Sequence, residues 1–313
     1  MSAVGCSDLA LRIHPRINWP HPPFPAPPRQ PVPTVSNPRT IRSNGYDLSY
    51  VEAGSGPPLL LVHGSLCDYR FWRPQMEPLG AQRRVIAVSL RHYWPESWDG
   101  GGQGFSLQQH SDDLAAFITA LDAGPVDLAG HSRGGSVAYR LARQHPALLR
   151  SLVLAEPGLD IASIGGPVGG PADSAPPTDL NRGDFRQRAL ALIRAGDADA
   201  GLSLFIDTVS GAGTWARMVP WLKRMMHDNA NTLLGQAAES YDSVTAATLP
   251  QLRRPPLLIG GAQSPAPYPA LLDALATLWP EARRATIASA SHAMNLWNVN
   301  AFNQALESFL SAP

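Results

Sequence analysis

The sequence predicts an α/β fold built on a mostly parallel sheet, and three observations carry that prediction. Short apolar runs recur along the body of the chain. Segments with helical spacing separate them. Several of the runs are apolar throughout, as strands buried between two layers of helix must be.

The elements follow in order from residue 40. Leu48-Ser-Tyr-Val51 alternates and stops at Gly54-Ser-Gly56, a strand and a turn. Pro58–Val62 and Val85–Val88 are buried-strand runs. From Ser106 to Leu121 the apolar residues Leu114, Phe117, Ile118 and Leu121 fall at helical spacing, with Ser106 and Gln109 resembling a capping box. Val126–Ala129 is a strand, and Gly134 to Gln144 a helix that stops at Pro146. Leu152–Leu154, Leu257–Ile259 and Ala285–Ala288 complete the apolar runs, with helical segments near 268–279 and 299–311. Between about 158 and 245 the alternation breaks. A Gly/Pro linker, Ile164–Pro177, leads into segments of helical composition at Phe185–Ala195, Ala198–Asp207, Trp215–Asp228 and Asn231–Tyr241.

Composition narrows the function. The chain has 313 residues, with 25 Lys+Arg against 25 Asp+Glu and a formal net charge of zero. That balance gives no electrostatic reason to expect nucleic acid or an anionic membrane as partner. No apolar run approaches the roughly 18 residues of a membrane-spanning helix. Two cysteines, Cys6 and Cys67, make no disulfide framework, so a reducing, cytoplasmic setting is expected. Of the 31 prolines, ten lie between Pro15 and Pro38. Residues 1–39 therefore read as a polyproline II or coil arm, without the positive and apolar regions of a secretory signal. Its oligomeric state is not legible.

Gly130-His-Ser-Arg-Gly134 matches G-x-S-x-G after a strand and before a helix, which makes Ser132 the candidate nucleophile. A serine needs a general base. His292, between the last strand and the last helix, is placed to return to the same sheet edge. His131 flanks the nucleophile and is expected to pack. The base needs a carboxylate, and Glu156 directly follows the strand Leu152–Leu154, with Asp160 as the nearest rival. After Leu59–Val62 comes His63-Gly64-Ser65, where a glycine permits close backbone approach. The main-chain N–H groups of Ser65 and Arg133 are the candidate oxyanion donors. Trp215, Met218, Trp221, Leu222, Met225 and Met226 form an aromatic and methionine stripe. Such a stripe is first of all core packing, with some members expected to touch an apolar substrate group. Tyr93, in the bulky loop Ser89–Trp98, is a further candidate substrate contact. No phosphate loop or metal-ligand spacing is present, so no cofactor and no metal are expected.

Together these motifs resemble the α/β-hydrolase fold superfamily over residues 40–313. The chain order Ser132…Glu156…His292 agrees with that fold. The resemblance implies an eight-stranded sheet with helices on both faces. It implies a core at 40–157 and 246–313 and a helical cap at 158–245. Two features depart from the commonest pattern. The stretch that usually holds the acid reads Gly260-Gly-Ala-Gln-Ser264, without one, which is why Glu156 is assigned that role. The loop after the fourth strand keeps Arg91 but is aromatic. The activity implied is cleavage of a carboxylic ester or lactone of a small, mainly apolar molecule through an acyl-enzyme on Ser132. The alternatives are C–C bond, thioester or amide hydrolysis on the same triad, or ligand binding without catalysis.

Overall fold

The sheet begins with a hairpin that the apolar pattern does not announce. Strands β1 (Arg39–Ser43) and β2 (Tyr46–Ala53) pair antiparallel around Asn44-Gly45. Both turn residues have positive φ, 47° and 74°, the backbone that tight hairpins need. β1 has the burial of an edge strand, with only Ser43 buried, so no apolar run marks it. The computed structural model describes residues 34–160, 182–239 and 241–312. All of these lie in one compact unit, Val32–Pro313. The linker Ile164–Pro177 and most of the proline-rich arm fall outside the described residues.

The remaining strands are β3 (Pro58–Val62), β4 (Arg84–Val88), β5 (Val126–His131), β6 (Leu149–Ala155), β7 (Leu257–Gly261) and β8 (Arg283–Ile287). The eight strands run in the order β1-β2-β4-β3-β5-β6-β7-β8. β2 is antiparallel to both neighbours and every other pair is parallel. This is the mostly parallel eight-stranded α/β-hydrolase sheet that the sequence predicts.

Alternation along the strands divides the interior in two. Leu59, Leu61, Val85, Ala87, Val153 and Ile259 face one core. Leu60, Val62, Ile86, Val88, Leu152, Leu154 and Leu258 face the other. Helix α1 (Arg73–Gly80) contributes Met76 and Leu79 to the first core. Its prolines, Pro74 in the first turn and Pro78 inside, hide it from a helical reading. Helices α2 (Leu107–Ala120) and α3 (Arg133–Gln144) cover the second face.

Between β6 and β7 lie five helices among the described residues: α4 (Arg182–Arg194), α5 (Ala198–Ser210), α6 (Thr214–Arg217), α7 (Pro220–Asp228) and α8 (Thr232–Gly235). The single helix expected over Trp215–Asp228 is two. Val219, which precedes Pro220, is extended with φ −66° and ψ 148°, as a residue before proline prefers. The segment Asn231–Tyr241 shortens to α8 and a 3-10 turn, Gln236–Ala238. Helices α9 (Tyr268–Leu278), α10 (Met294–Trp297) and α11 (Val299–Leu310) complete the chain. Among the described residues no helix is long and apolar enough to cross a membrane.

The sheet changes direction of build at β3. β4 is added on one side of it and β5 on the other. Crevices at the carboxyl ends of parallel strands, at such a switch point, are where α/β folds place ligands. The loops after β3, β5, β6, β7 and β8 all emerge there.

Candidate active site

Ser132 stands between β5 and α3 with φ 52° and ψ −121°, a conformation that L-residues seldom hold. Three backbone bonds hold the turn. Ser132 N–H donates to Ala155 at 2.9 Å, and its carbonyl accepts from Gly135 at 2.9 Å and from Gly158 at 3.1 Å. Close approach explains the glycine at 134. A Cβ there would lie 2.3 Å from the carbonyl oxygen of His63. Serine at a helix N-cap normally spends its hydroxyl on the first turn. Ser132 occupies the N-cap of α3 and makes no such bond, so its hydroxyl is left for other work.

The carboxylate and the imidazole meet at the ends of three further strands. His292 Nδ1 lies 2.7 Å from Glu156 Oε2, with both side chains buried. The carboxylate fixes the tautomer: Nδ1 carries the proton and Nε2 keeps the lone pair. The other oxygen, Glu156 Oε1, accepts the main-chain N–H of Gly261 at 2.8 Å. The stretch after β7 that carries no acid therefore holds the acid from β6. Glu156 has positive φ, 43°, and its N–H donates to Ile259 at 3.1 Å, which turns its side chain off the strand. The rival Asp160 is exposed and pairs its backbone with Asp242 and Val244.

Two further residues hold His292: Tyr268, which the sequence reading does not single out, and His131, which it expects to pack. Tyr268 stacks on the imidazole at 4.0 Å between centroids and 15° between planes. His131 Nε2 donates to the carbonyl of His292 at 2.8 Å, so its packing includes fixing the backbone of His292. Burial, with the nearby His292 adding to it, pulls the His131 imidazole well below its ordinary value and keeps it neutral.

The third component is the loop after β3. A Cβ on Gly64 would lie 3.1 Å from Ser132 Cβ, so a side chain here would press on the serine turn that the loop sits against. Among the described residues the main-chain N–H groups of Ser65 and of Arg133 donate to no protein acceptor. His63 braces the loop. Its Nε2 accepts from Leu90 N–H at 3.1 Å, which leaves Nδ1–H to donate to the Gly64 carbonyl at 2.9 Å. Burial pulls this imidazole down to about 3, so it is a neutral strut and not a base.

The side chains of Ser65 and Arg133 point into the helical insert. Ser65 Oγ donates to Gln236 Oε1 at 2.8 Å. Arg133 makes a two-pronged pair with Glu239, at 2.5 and 2.8 Å, and donates to His110 Nδ1 at 2.9 Å. Burial and the Arg133 charge hold His110 well below its ordinary value.

The expected substrate contacts fall into different places. Tyr93 is buried, edge-on to His63 at 4.6 Å, and accepts from Gln236 Nε2 at 3.3 Å. Burial pushes its phenol up to about 12. Trp215 and Met225 are buried in an apolar core, and Met218 packs on its margin. Trp221 is 39% exposed and belongs to no core. The stripe is thus core packing at Trp215, Leu222, Met225 and Met226. Cys67 is buried, and burial pushes its thiol well up, which makes it inert. Among the described residues no group of three or more His, Cys, Asp or Glu side chains could hold a metal ion.

Comparison with known proteins agrees with this architecture. Residues 59–301 match the profile of the alpha/beta hydrolase family. A soluble epoxide hydrolase of Corynebacterium sp. is 35% identical over 118 residues, 37% of this chain and 41% of that protein. A 2-hydroxymuconate semialdehyde hydrolase of Pseudomonas sp. is 32% identical over 119 residues, 37% of this chain and 42% of the other. The matched stretch thus spans about two fifths of these curated relatives. Among solved structures, the enol-lactonase of Burkholderia xenovorans superposes with a TM-score of 0.68 at 20% identity, covering 88% of this chain and all of that one. An esterase of Thermogutta terrifontis gives 0.68 at 22% identity, covering 88% and 98%. At these identities the structural likeness establishes the fold.

Proposed function

The chain belongs to the alpha/beta hydrolase family, and from that premise we propose that it is a serine hydrolase acting on a carboxylic ester or lactone of a small, mainly apolar molecule. One observation carries the proposal: the contact His292–Glu156–Gly261 at the sheet edge that also presents an uncapped Ser132. In this reading Ser132 Oγ attacks the carbonyl carbon while His292 Nε2 takes its proton. Glu156 stabilises the imidazolium, and the Gly261 N–H keeps the carboxylate from turning away. The N–H groups of Ser65 and Arg133 receive the oxyanion, helped by the positive end of α3. The proton then passes to the leaving alkoxide. Water, activated by the same imidazole, releases the acid from the acyl-enzyme. The helices over 182–239 act as a cap that walls the substrate side, and Tyr93 lines the floor beneath them through its bond to Gln236. No step calls for a cofactor or a metal.

The nucleophile argues against the chemistry named for the first relative. Opening an epoxide through a covalent alkyl ester needs a carboxylate nucleophile, and position 132 offers a hydroxyl. The second relative's name keeps a C–C bond hydrolase within reach, because the same serine, base and oxyanion donors could serve a vinylogous diketone. The test is a panel of p-nitrophenyl acyl esters, lactones and one such diketone, with wild type against Ser132→Ala. Hydrolysis that Ser132→Ala loses is expected on esters or lactones. Equal behaviour of the two proteins across the panel overturns the proposal, and turnover of the diketone alone replaces the ester reading.

A further inference from the structure

We infer that Gln236 and Glu239, two residues of the insert, are positioning residues that hold the oxyanion side of the site from outside the sheet. The inference rests on the serine hydrolase reading and extends it. Its basis is a coincidence of partners. Ser65 and Arg133 lie on different strand-end loops, separated by more than sixty positions. Their side chains nonetheless end on one short stretch, Gln236 to Glu239, after α8.

Neither tie is a loose surface contact. Gln236 is buried and uses both ends of its amide, accepting from Ser65 Oγ and donating to Tyr93 Oη. The Arg133 guanidinium is buried and lies over Phe105 at 4.8 Å, with Glu239 as its carboxylate partner. A buried cation cannot leave such a partner without a large desolvation penalty, so the pair fixes where the first turn of α3 sits relative to the insert. Two more bonds tether the same β3 loop to the end of α7. Asn229 donates to Asp68 at 2.7 Å, and Arg70 donates to Asp228 at 2.9 Å. These hold the loop's far end. Ser65 and Arg133 are the residues whose own main-chain N–H groups are the candidate oxyanion donors.

Gln236 and Glu239 also line a cavity of about 240 Å³ in the insert, with Leu190, Phe205, Leu233 and Arg186 among its other walls. The stretch that ties down the oxyanion donors is thus one wall of a space inside the insert. Packing of the insert helices around that space sets the register of the donors. An oxyanion donor must lie within a few tenths of an ångström of its mark, and a misplacement near 1 Å costs up to about a hundredfold in rate.

The experiment uses the full chain and a fluorophosphonate probe, which phosphonylates the serine with loss of fluoride and needs no knowledge of the substrate. The maximal labelling rate (kinact) and the half-saturating probe concentration (KI) are measured for wild type, Ser65→Ala, Gln236→Met and their double variant. Each single substitution is expected to lower kinact about tenfold while KI moves by less than about twofold. The double is expected to be no slower than either single, because both cut one bond. An unchanged kinact in Gln236→Met overturns the inference, as does a loss in the double equal to the product of the singles. For the second tie, Glu239→Gln could strand a buried cation and unfold the protein. The pair Arg133→Met with Glu239→Met removes both charges and keeps the main-chain N–H. It is expected to melt within a few degrees of wild type and still label about tenfold more slowly. Wild-type labelling rates in that folded pair overturn the inference for Glu239. Labelling of wild type that Ser132→Ala does not abolish overturns the hydrolase reading itself, and this inference with it.

Discussion

The two flanks of Ser132 are built differently. On the acid–base flank most fixing contacts come from the sheet domain: Glu156 after β6, Gly261 at the end of β7, His292 after β8, with His131 from β5 and Tyr268 from α9; the insert adds one bond there, from Ser291 Oγ to the Ser210 carbonyl at 2.8 Å. On the oxyanion flank the backbone donors belong to the sheet domain, but their side chains are anchored in the insert. The first flank rests mainly on the ends of the paired parallel strands. The second is complete only when the insert helices pack. In the proposed reaction, variation in the insert would therefore act more on the oxyanion side than on the proton relay.

The largest break in that comparison is Glu156→Gln. The amide keeps an acceptor for Gly261 N–H and nearly the same volume, so the fold is retained. It cannot stabilise an imidazolium and it can favour the wrong tautomer of His292. Turnover on any ester that wild type accepts is expected to fall by about 10³ to 10⁴. Asp160→Asn, on the exposed loop just beyond, is the control and is expected to stay within about twofold, since such surface changes cost little. Steady-state kinetics on both variants decides the point. A Glu156→Gln enzyme with near-normal turnover would mean that the acid–base flank is held by something other than this carboxylate.

How much of this was legible in the sequence follows the same division. The placement of Ser132, His292 and Glu156 at strand ends was legible, because strand ends can be read from apolar runs and the turn residues after them. The hairpin strand β1 was not, since Arg-Thr-Ile-Arg-Ser at a sheet edge buries only its last residue. Nor was α1, whose two prolines mask its pattern. On the oxyanion flank, Gln236 lies 171 positions from Ser65, and Glu239 lies 106 from Arg133. No local period, cap or motif links such pairs. Only one faint signal pointed there: an arginine after the nucleophile, on a helix start that is buried, must find a carboxylate somewhere. The methionine stripe shows the reverse error of distance. Its spacing was helical, but the chain breaks before Pro220 into two helices, so Trp215 in α6 is buried while Trp221 in α7 is not.

A second break concerns the struts beneath both flanks. His63 has a folded-state value near 3 against an ordinary 6.5, because burial disfavours the cation. Between those values the unfolded chain binds a proton that the folded chain refuses. Stability from this group is therefore full above about pH 6.5 and falls as the pH drops through the window. His110 and His131 are lowered for the same first cause and act in the same direction. Each histidine contributes a slope of up to about 1.4 kcal/mol per pH unit within its window. Urea melts at pH 7 and pH 5 are expected to show a marked loss at pH 5, smaller in His110→Gln than in wild type. Equal midpoints at the two pH values would show that these imidazoles are not buried neutral.

Tyr268→Leu probes the acid–base flank more gently. The ring lies flat on the His292 imidazole, and leucine fills much of the space without a planar face. The base should gain rotational freedom while its bond to Glu156 survives. A loss of a few fold in kcat, on the order of the 0.5–1.5 kcal/mol of a stacked pair, is expected, with KM little changed. A rise in KM with unchanged kcat would instead make Tyr268 a substrate contact.

The smallest effect separates the insert's core from its surface. Met225 is fully buried and Trp221 is 39% exposed, although they are one helical turn apart in α7. Met225→Ala leaves a cavity in the apolar core that also holds Trp215, Leu222 and Leu233, and is expected to cost about 2–5 kcal/mol of stability. Because that core carries the stretch Gln236–Glu239, the variant should also lose turnover. Trp221→Ala removes a half-exposed ring outside the buried cores, and both melting temperature and kcat/KM on short esters are expected to stay close to wild type. A selective loss of activity toward long acyl chains in Trp221→Ala, at unchanged stability, would move this tryptophan from the surface of the insert to the mouth of the substrate path. The insert would then contribute to recognition directly, as well as through the donors it holds in place.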